Sequence, residues 1–234
     1  MSLMRLLVAC LAAACGTALA QPAPGEYTLE GGGGVLAIKP AGPGKATFTL
    51  ETVGANTHTC SLEGAVTGDV AKLEGLDDKP CVVRLRASPA GIDVKADDYA
   101  ACSGYCGLRA TFEGRYLKPA PAFTANAMAA TRRQFKQQYD AKRFAEARAT
   151  LEPLLSTCKP VLHWLDEARI RNDLAVTLHK LSAKDACRQA LAPLAEDARK
   201  TDAQIREDYP PTDAESYLPV VRATRTNLRL CAAP

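Results

Sequence analysis

The chain has 234 residues, 47% of them hydrophobic and 24% charged, with a net charge of +3 and nine cysteines beside a single tryptophan. That length accommodates one or two globular domains with a real core. The composition excludes collagen-like and charge-driven disordered chains, and a balance of +3 gives no reason to expect nucleic acid as a partner.

Residues 1–20 read as a signal peptide. Arg5 precedes the apolar run Leu6 to Ala14, and Ala18-Leu19-Ala20 supplies small residues before Gln21. A competing reading makes Ala12-Ala13-Ala14-Cys15-Gly16 a lipobox, with a lipid anchor on Cys15. Both readings export the protein to the periplasm or beyond, and no later run reaches the ~20 apolar residues of a transmembrane segment.

Residues 25–118 are expected to form an all-β domain. Ala46, Phe48 and Leu50 alternate with Thr47, Thr49 and Glu51. The period of two recurs at Cys81, Val83, Leu85, at Ile92, Val94, Ala96, and at Leu108, Ala110, Phe112. Turn signals such as Gly42-Pro43-Gly44, Gly68-Asp69 and Pro89-Ala90-Gly91 separate the runs. This spacing predicts an antiparallel sandwich or small barrel. The glycine run Gly31 to Gly34 opens a strand and reads as a flexible turn rather than a phosphate cradle.

Residues 119–123, with Pro119 and Pro121, form a linker with little to bury. From 124 to 234 the period becomes helical, with helices expected over about 125–141, 144–157, 163–181, 184–199 and 213–230. Short connections make neighbouring helices antiparallel. The fold class expected is α+β in two segregated domains, the second built of helical hairpin repeats. Charge divides unevenly, with 10 Lys+Arg against 12 Asp+Glu over 21–120 and 18 against 14 over 121–234.

Removing the leader leaves seven cysteines, read in an oxidising compartment as disulfides before metal ligands. Four in the β domain allow three connectivities; the pairing favoured is Cys60–Cys81 with Cys102–Cys106. In an up-down helical array the start of the fourth helix lies beside the end of the fifth. Cys187 is therefore expected to pair with Cys231, leaving Cys158 free.

Phe135, Tyr139 and the run Lys142-Arg143-Phe144-Ala145-Glu146-Ala147 resemble a tetratricopeptide repeat, with Phe144 and Ala147 at its aromatic and small positions. Arg171 to Cys187 resembles a second copy, its small position 40 residues on. In the β domain, His58 to Gly64 and Cys102 to Tyr116 are similar to segments of bacterial periplasmic proteins grouped with lysozyme inhibitors. These resemblances imply a protein-binding role in the bacterial cell envelope.

Motifs for nucleophile elbows, phosphate loops, dinucleotides and zinc proteases are missing from the sequence. The three histidines are scattered and the acidic pairs lack loop-site spacing, so neither a metal nor a cofactor is expected. The reading is a non-enzymatic binding or adaptor protein with a protein partner in the envelope, one version being an inhibitor of a cell-wall hydrolase. Its candidate groove is lined by Arg169, Asn172, Asp173 and His179. The alternative is a cell-wall-active hydrolase using Glu63 and Glu113 as acid and base.

Overall fold

Why the β half closes on itself follows from its alternation. The computed structural model describes residues 21–232; the signal-peptide and lipid-anchor expectations, with Cys10 and Cys15, lie outside them. Eight strands run in chain order: β1 (Gly25–Leu29), β2 (Gly34–Pro40), β3 (Lys45–Val53), β4 (Thr59–Thr67), β5 (Val70–Leu73), β6 (Cys81–Ser88), β7 (Gly91–Ala96) and β8 (Gly114–Leu117). Each pairs antiparallel with the next, and β1 pairs with β8 to close the barrel. In β3 the pattern of exposed and buried residues alternates along its length, with Ala46, Phe48, Leu50 and Thr52 inside. Closure removes the unpaired edges that a sandwich would leave. An eight-stranded barrel is just wide enough for side chains to fill. Phe48, Leu50, Leu85, Phe112 and Tyr116 fill this one, and the buried Tyr116 hydroxyl donates to the Phe112 carbonyl at 2.9 Å.

Between β7 and β8 the chain leaves the sheet. The expected strand through Leu108, Ala110 and Phe112 does not form. Leu108 is 97% exposed, and only Phe112 of the three is buried. This segment carries the short helix α1 (Tyr99–Cys102), capped by the Asp98 side chain. It is stapled back by Cys81–Cys102 and Cys60–Cys106, which corrects the pairing of Cys60 with Cys81 and of Cys102 with Cys106. The reason is topological. β5 lies between β4 and β6, so strands bearing Cys60 and Cys81 are two sheet spacings apart, about 9–10 Å, beyond disulfide reach. Both cysteines do point inward, and each is met by a cysteine of the crossing segment.

The helical half contains α2 (Ala125–Asp140), α3 (Phe144–Ser156), α4 (Trp164–Lys180), α5 (Lys184–Leu191), α6 (Ala195–Arg199), α7 (Asp202–Asp208) and α8 (Pro211–Ala232). The turns α2–α3 and α4–α5 are the same turn 40 residues apart. Lys142 and Ser182 adopt φ of 60° and 59°, and Arg143 and Ala183 donate backbone N–H groups back to Gln138 and Leu178. One turn further, Ala147 and Cys187 are both fully buried. The small residues let the paired helices approach. Thereafter the repetition stops. The expected fourth helix breaks at the 3-10 turn Ala192–Leu194, which contains Pro193, and α7 follows with a Thr201–Gln204 capping box. Cys187 is bonded to Cys231 on α8 and Cys158 is a buried free thiol.

The fold class is therefore corrected in its helical half. Of the two architectures expected for the β half, sandwich or small barrel, the closed barrel is the one that forms. The helical half is two hairpins completed by short helices and a 22-residue α8, which packs on α4, α5, α6 and α7, rather than hairpin repeats throughout. Strands and helices do separate into two parts of the chain, as expected, and the two parts dock on each other. Gly31 donates its N–H to Pro160 at 2.8 Å, Asn56 donates to Asp213 at 2.9 Å, and Thr212 donates to Asn56 Oδ1 at 3.0 Å. Leu117, just before the expected bare linker, and Phe123, its last residue, pack on the helical core. The Gly31–Gly34 run is the docking surface itself: a Cβ on Gly32 would lie 2.6 Å from His163 Cα.

Candidate functional groove between two helices

The barrel interior is filled, so binding surfaces are external. Along the helical half, α3 packs against both α2 and α4, leaving those two helices facing across a groove. One part, about 480 Å³, is walled by Phe135, Tyr139 and Val176 and edged by Arg132, Arg133, Lys136, Asp140 and Asp173. A second part, about 190 Å³, continues past Arg132 to Met128, Leu162 and Ile170. Arg132 lines both parts and joins α2 to α4 through Asp166 at 3.4 Å. From Met128 to Asp140 the helix rises about 18 Å, the span of five or six extended residues.

Spacing explains the face. On α2, Arg132, Lys136 and Tyr139 stand at i, i+4 and i+7, with Phe135 beside them turned toward the core. Tyr139 meets Phe135 at 5.8 Å and Phe144 at 5.3 Å between ring centroids, fixing an aromatic row along the groove wall. Burial raises the Tyr139 hydroxyl pKa, and the nearby charges of Asp173 and Asp140 add to it.

Most charges here have partners. Lys136 holds Asp140 at 2.6 Å, and Asp166 is shared by Arg132 and Arg169, each at 3.4 Å. Asp173 differs. No hydrogen bond or ion pair joins its carboxylate to another described residue. Burial raises its pKa above the ordinary value of 3.8, an effect that the positive charge of Arg132 only partly opposes.

The four residues expected to line one groove do not lie together. Asp173 lines it, and Arg169 stands one turn away, bound to Asp166. Asn172 is corrected: it is buried against α8, where its Nδ2 donates to Thr224 and to the Ala168 carbonyl, and its Oδ1 accepts from Asn227. His179 sits in the last turn of α4, outside the groove lining. At 100° per residue, Asn172 and His179 project far from the Asp173 face. The groove residues missed in sequence are Arg132, Arg133 and Lys136. Their signal was a basic cluster at helical spacing beside Tyr139, which reads equally as a solvated face.

The carboxylates of the alternative reading are also separated. Glu63 is exposed on β4 opposite Thr49, whereas Glu113 precedes β8 and accepts the Ala96 N–H at 2.8 Å. β4 and β8 are not neighbours in the barrel, so the two do not form an acid–base pair.

No protein-family model, curated protein or solved structure that was compared matches this chain. The three disulfides fit an oxidising, extracytoplasmic compartment. Among the described residues no helix is long and apolar enough to cross a membrane.

Proposed function

We propose that this is a non-enzymatic binding or adaptor protein of the bacterial cell envelope, whose α2–α4 groove holds an extended segment of a protein partner. The observation that carries the reading is the groove itself: two continuous hollows with an aromatic wall, charged edges and one unpaired carboxylate. Its length suits a peptide in extended form. The barrel, with its filled interior and stapled crossing segment, serves as a rigid support docked through Gly31–Gly34 and Asn56. A cell-wall hydrolase is one partner that fits the resemblance of the barrel segments.

A photo-crosslinking residue placed at Lys136 should trap one discrete envelope protein, and the same residue at Arg148 on α3 should not. Val176→Trp, which fills the groove, should abolish the adduct. Equal labelling from both positions, or an adduct insensitive to Val176→Trp, overturns the reading. If the trapped partner is a wall hydrolase, purified chain should inhibit it and the Val176→Trp chain should not.

A further inference from the structure

Asp173 is a half-buried carboxylate in the groove wall, with no hydrogen bond or ion pair to another described residue. A carboxylate set against an apolar wall and left without a partner in an open hollow is a ready counter-charge for a cationic ligand group. Two of the three neighbouring cations are already engaged, Arg132 with Asp166 and Lys136 with Asp140. Around Asp173 stand the rings of Phe135 and Tyr139 and the aliphatic Val176. Aromatic faces attract cations, and the same apolar wall covers the methylene stem of a long basic side chain. A metal ion is the poorer fit, since no group of three or more metal-ligating side chains forms among the described residues.

We propose that this hollow is the anchor for a lysine or arginine side chain of the partner polypeptide, its charge held by Asp173 and its stem laid along Tyr139 and Val176. The proposal rests on the groove being a polypeptide site and adds the chemistry of its occupant. Arg133 on the rim, for which no ion pair is seen among the described residues, then favours an acidic residue next to the anchor.

The test uses two fluorescein-labelled peptides, Ac-Ala-Glu-Lys-Glu-Ala and its counterpart with norleucine in place of lysine, titrated by anisotropy against the full mature chain. Norleucine keeps the stem and removes the charge. The lysine peptide should bind at least tenfold more tightly to the wild-type chain, and Asp173→Asn should erase that difference between the two peptides. Circular dichroism checks that Asp173→Asn keeps the wild-type fold. If both peptides bind equally, with binding lost in Val176→Trp, the anchor is wrong and the groove reading stands. If neither binds the wild-type chain, the groove reading fails and the anchor with it.

Discussion

Asn56, on the barrel, and Asp213, at the start of α8, hold each other's backbone environment. The Asn56 N–H donates to the Asp213 carboxylate at 2.9 Å, and Asn56 Oδ1 accepts the N–H of Thr212 at 3.0 Å. This is the reciprocity of a capping box, divided between two parts of the chain. Asn56 also has φ of 58°, a conformation that asparagine tolerates better than most residues.

Asn56→Ala should therefore lower stability by about 1–2 kcal/mol, the usual cost of a lost N-cap with added backbone strain. Urea denaturation measures the loss. Trp164, the single tryptophan, reports on the helical side of the junction because it follows His163 and stacks with Tyr209 at 5.8 Å. An unchanged midpoint would show that the contact contributes nothing to stability.

The glycine run gives a paired comparison. Gly31 and Gly32 have φ of 82° and 77°, but a Cβ on Gly31 meets nothing within 4 Å whereas one on Gly32 meets the His163 backbone. Gly31→Ala should cost about 1 kcal/mol for the positive φ alone. Gly32→Ala should cost about 1–3 kcal/mol more, because the clash is backbone against backbone and the junction must open. Proteolysis within residues 119–123 should accelerate only in the Gly32 variant.

The two barrel disulfides close loops of different length, with sequence separations of 46 for Cys60–Cys106 and 21 for Cys81–Cys102. Loop entropy assigns them about 4 and about 3 kcal/mol. Replacing Cys60 and Cys106 together by alanine should thus lower the denaturation midpoint more than replacing Cys81 and Cys102. The reverse order would mean that strain or residual structure outweighs loop length.

Asp173 predicts a stability that depends on pH in an unusual direction. Burial raises its folded pKa, so the fold prefers the protonated acid. As pH rises from below the unfolded value near 3.8 through the raised folded value, this group removes stability, and the deficit is complete above it. Asp173→Asn should accordingly raise the thermal midpoint at pH 7 and leave it nearly unchanged at about pH 3. A midpoint at pH 7 equal to or below the wild type would mean that the carboxylate has a partner in solution.

Local periodicity reads well wherever a residue's neighbours in sequence are also its neighbours in space. The alternation through Ala46, Phe48 and Leu50 is the inward face of β3, and the helix expected over 144–157 occupies 144–156. It misleads at Leu108, Ala110 and Phe112, where alternation of period two occurs in a segment held by two disulfides rather than by a sheet. Asp173 was legible as a polar residue on a helix. Its unpaired state was not, because that depends on how Arg132 and Lys136 of another helix spend their charges.

The sequence by itself determined the alternating and helical stretches, the inward orientation of Cys60 and Cys81, and a chemistry pointing to an oxidising compartment. These follow from side-chain periods of 2 and 3.6 and from cysteine usage. The tertiary structure decided that the strands close into a barrel, that Cys60 meets Cys106 across the crossing segment, and that Gly32 packs on His163. It also decided that Asn172 faces the core while Asp173 faces the groove. Each of these is a contact between residues distant in the chain, set by packing and closure that local pattern does not encode.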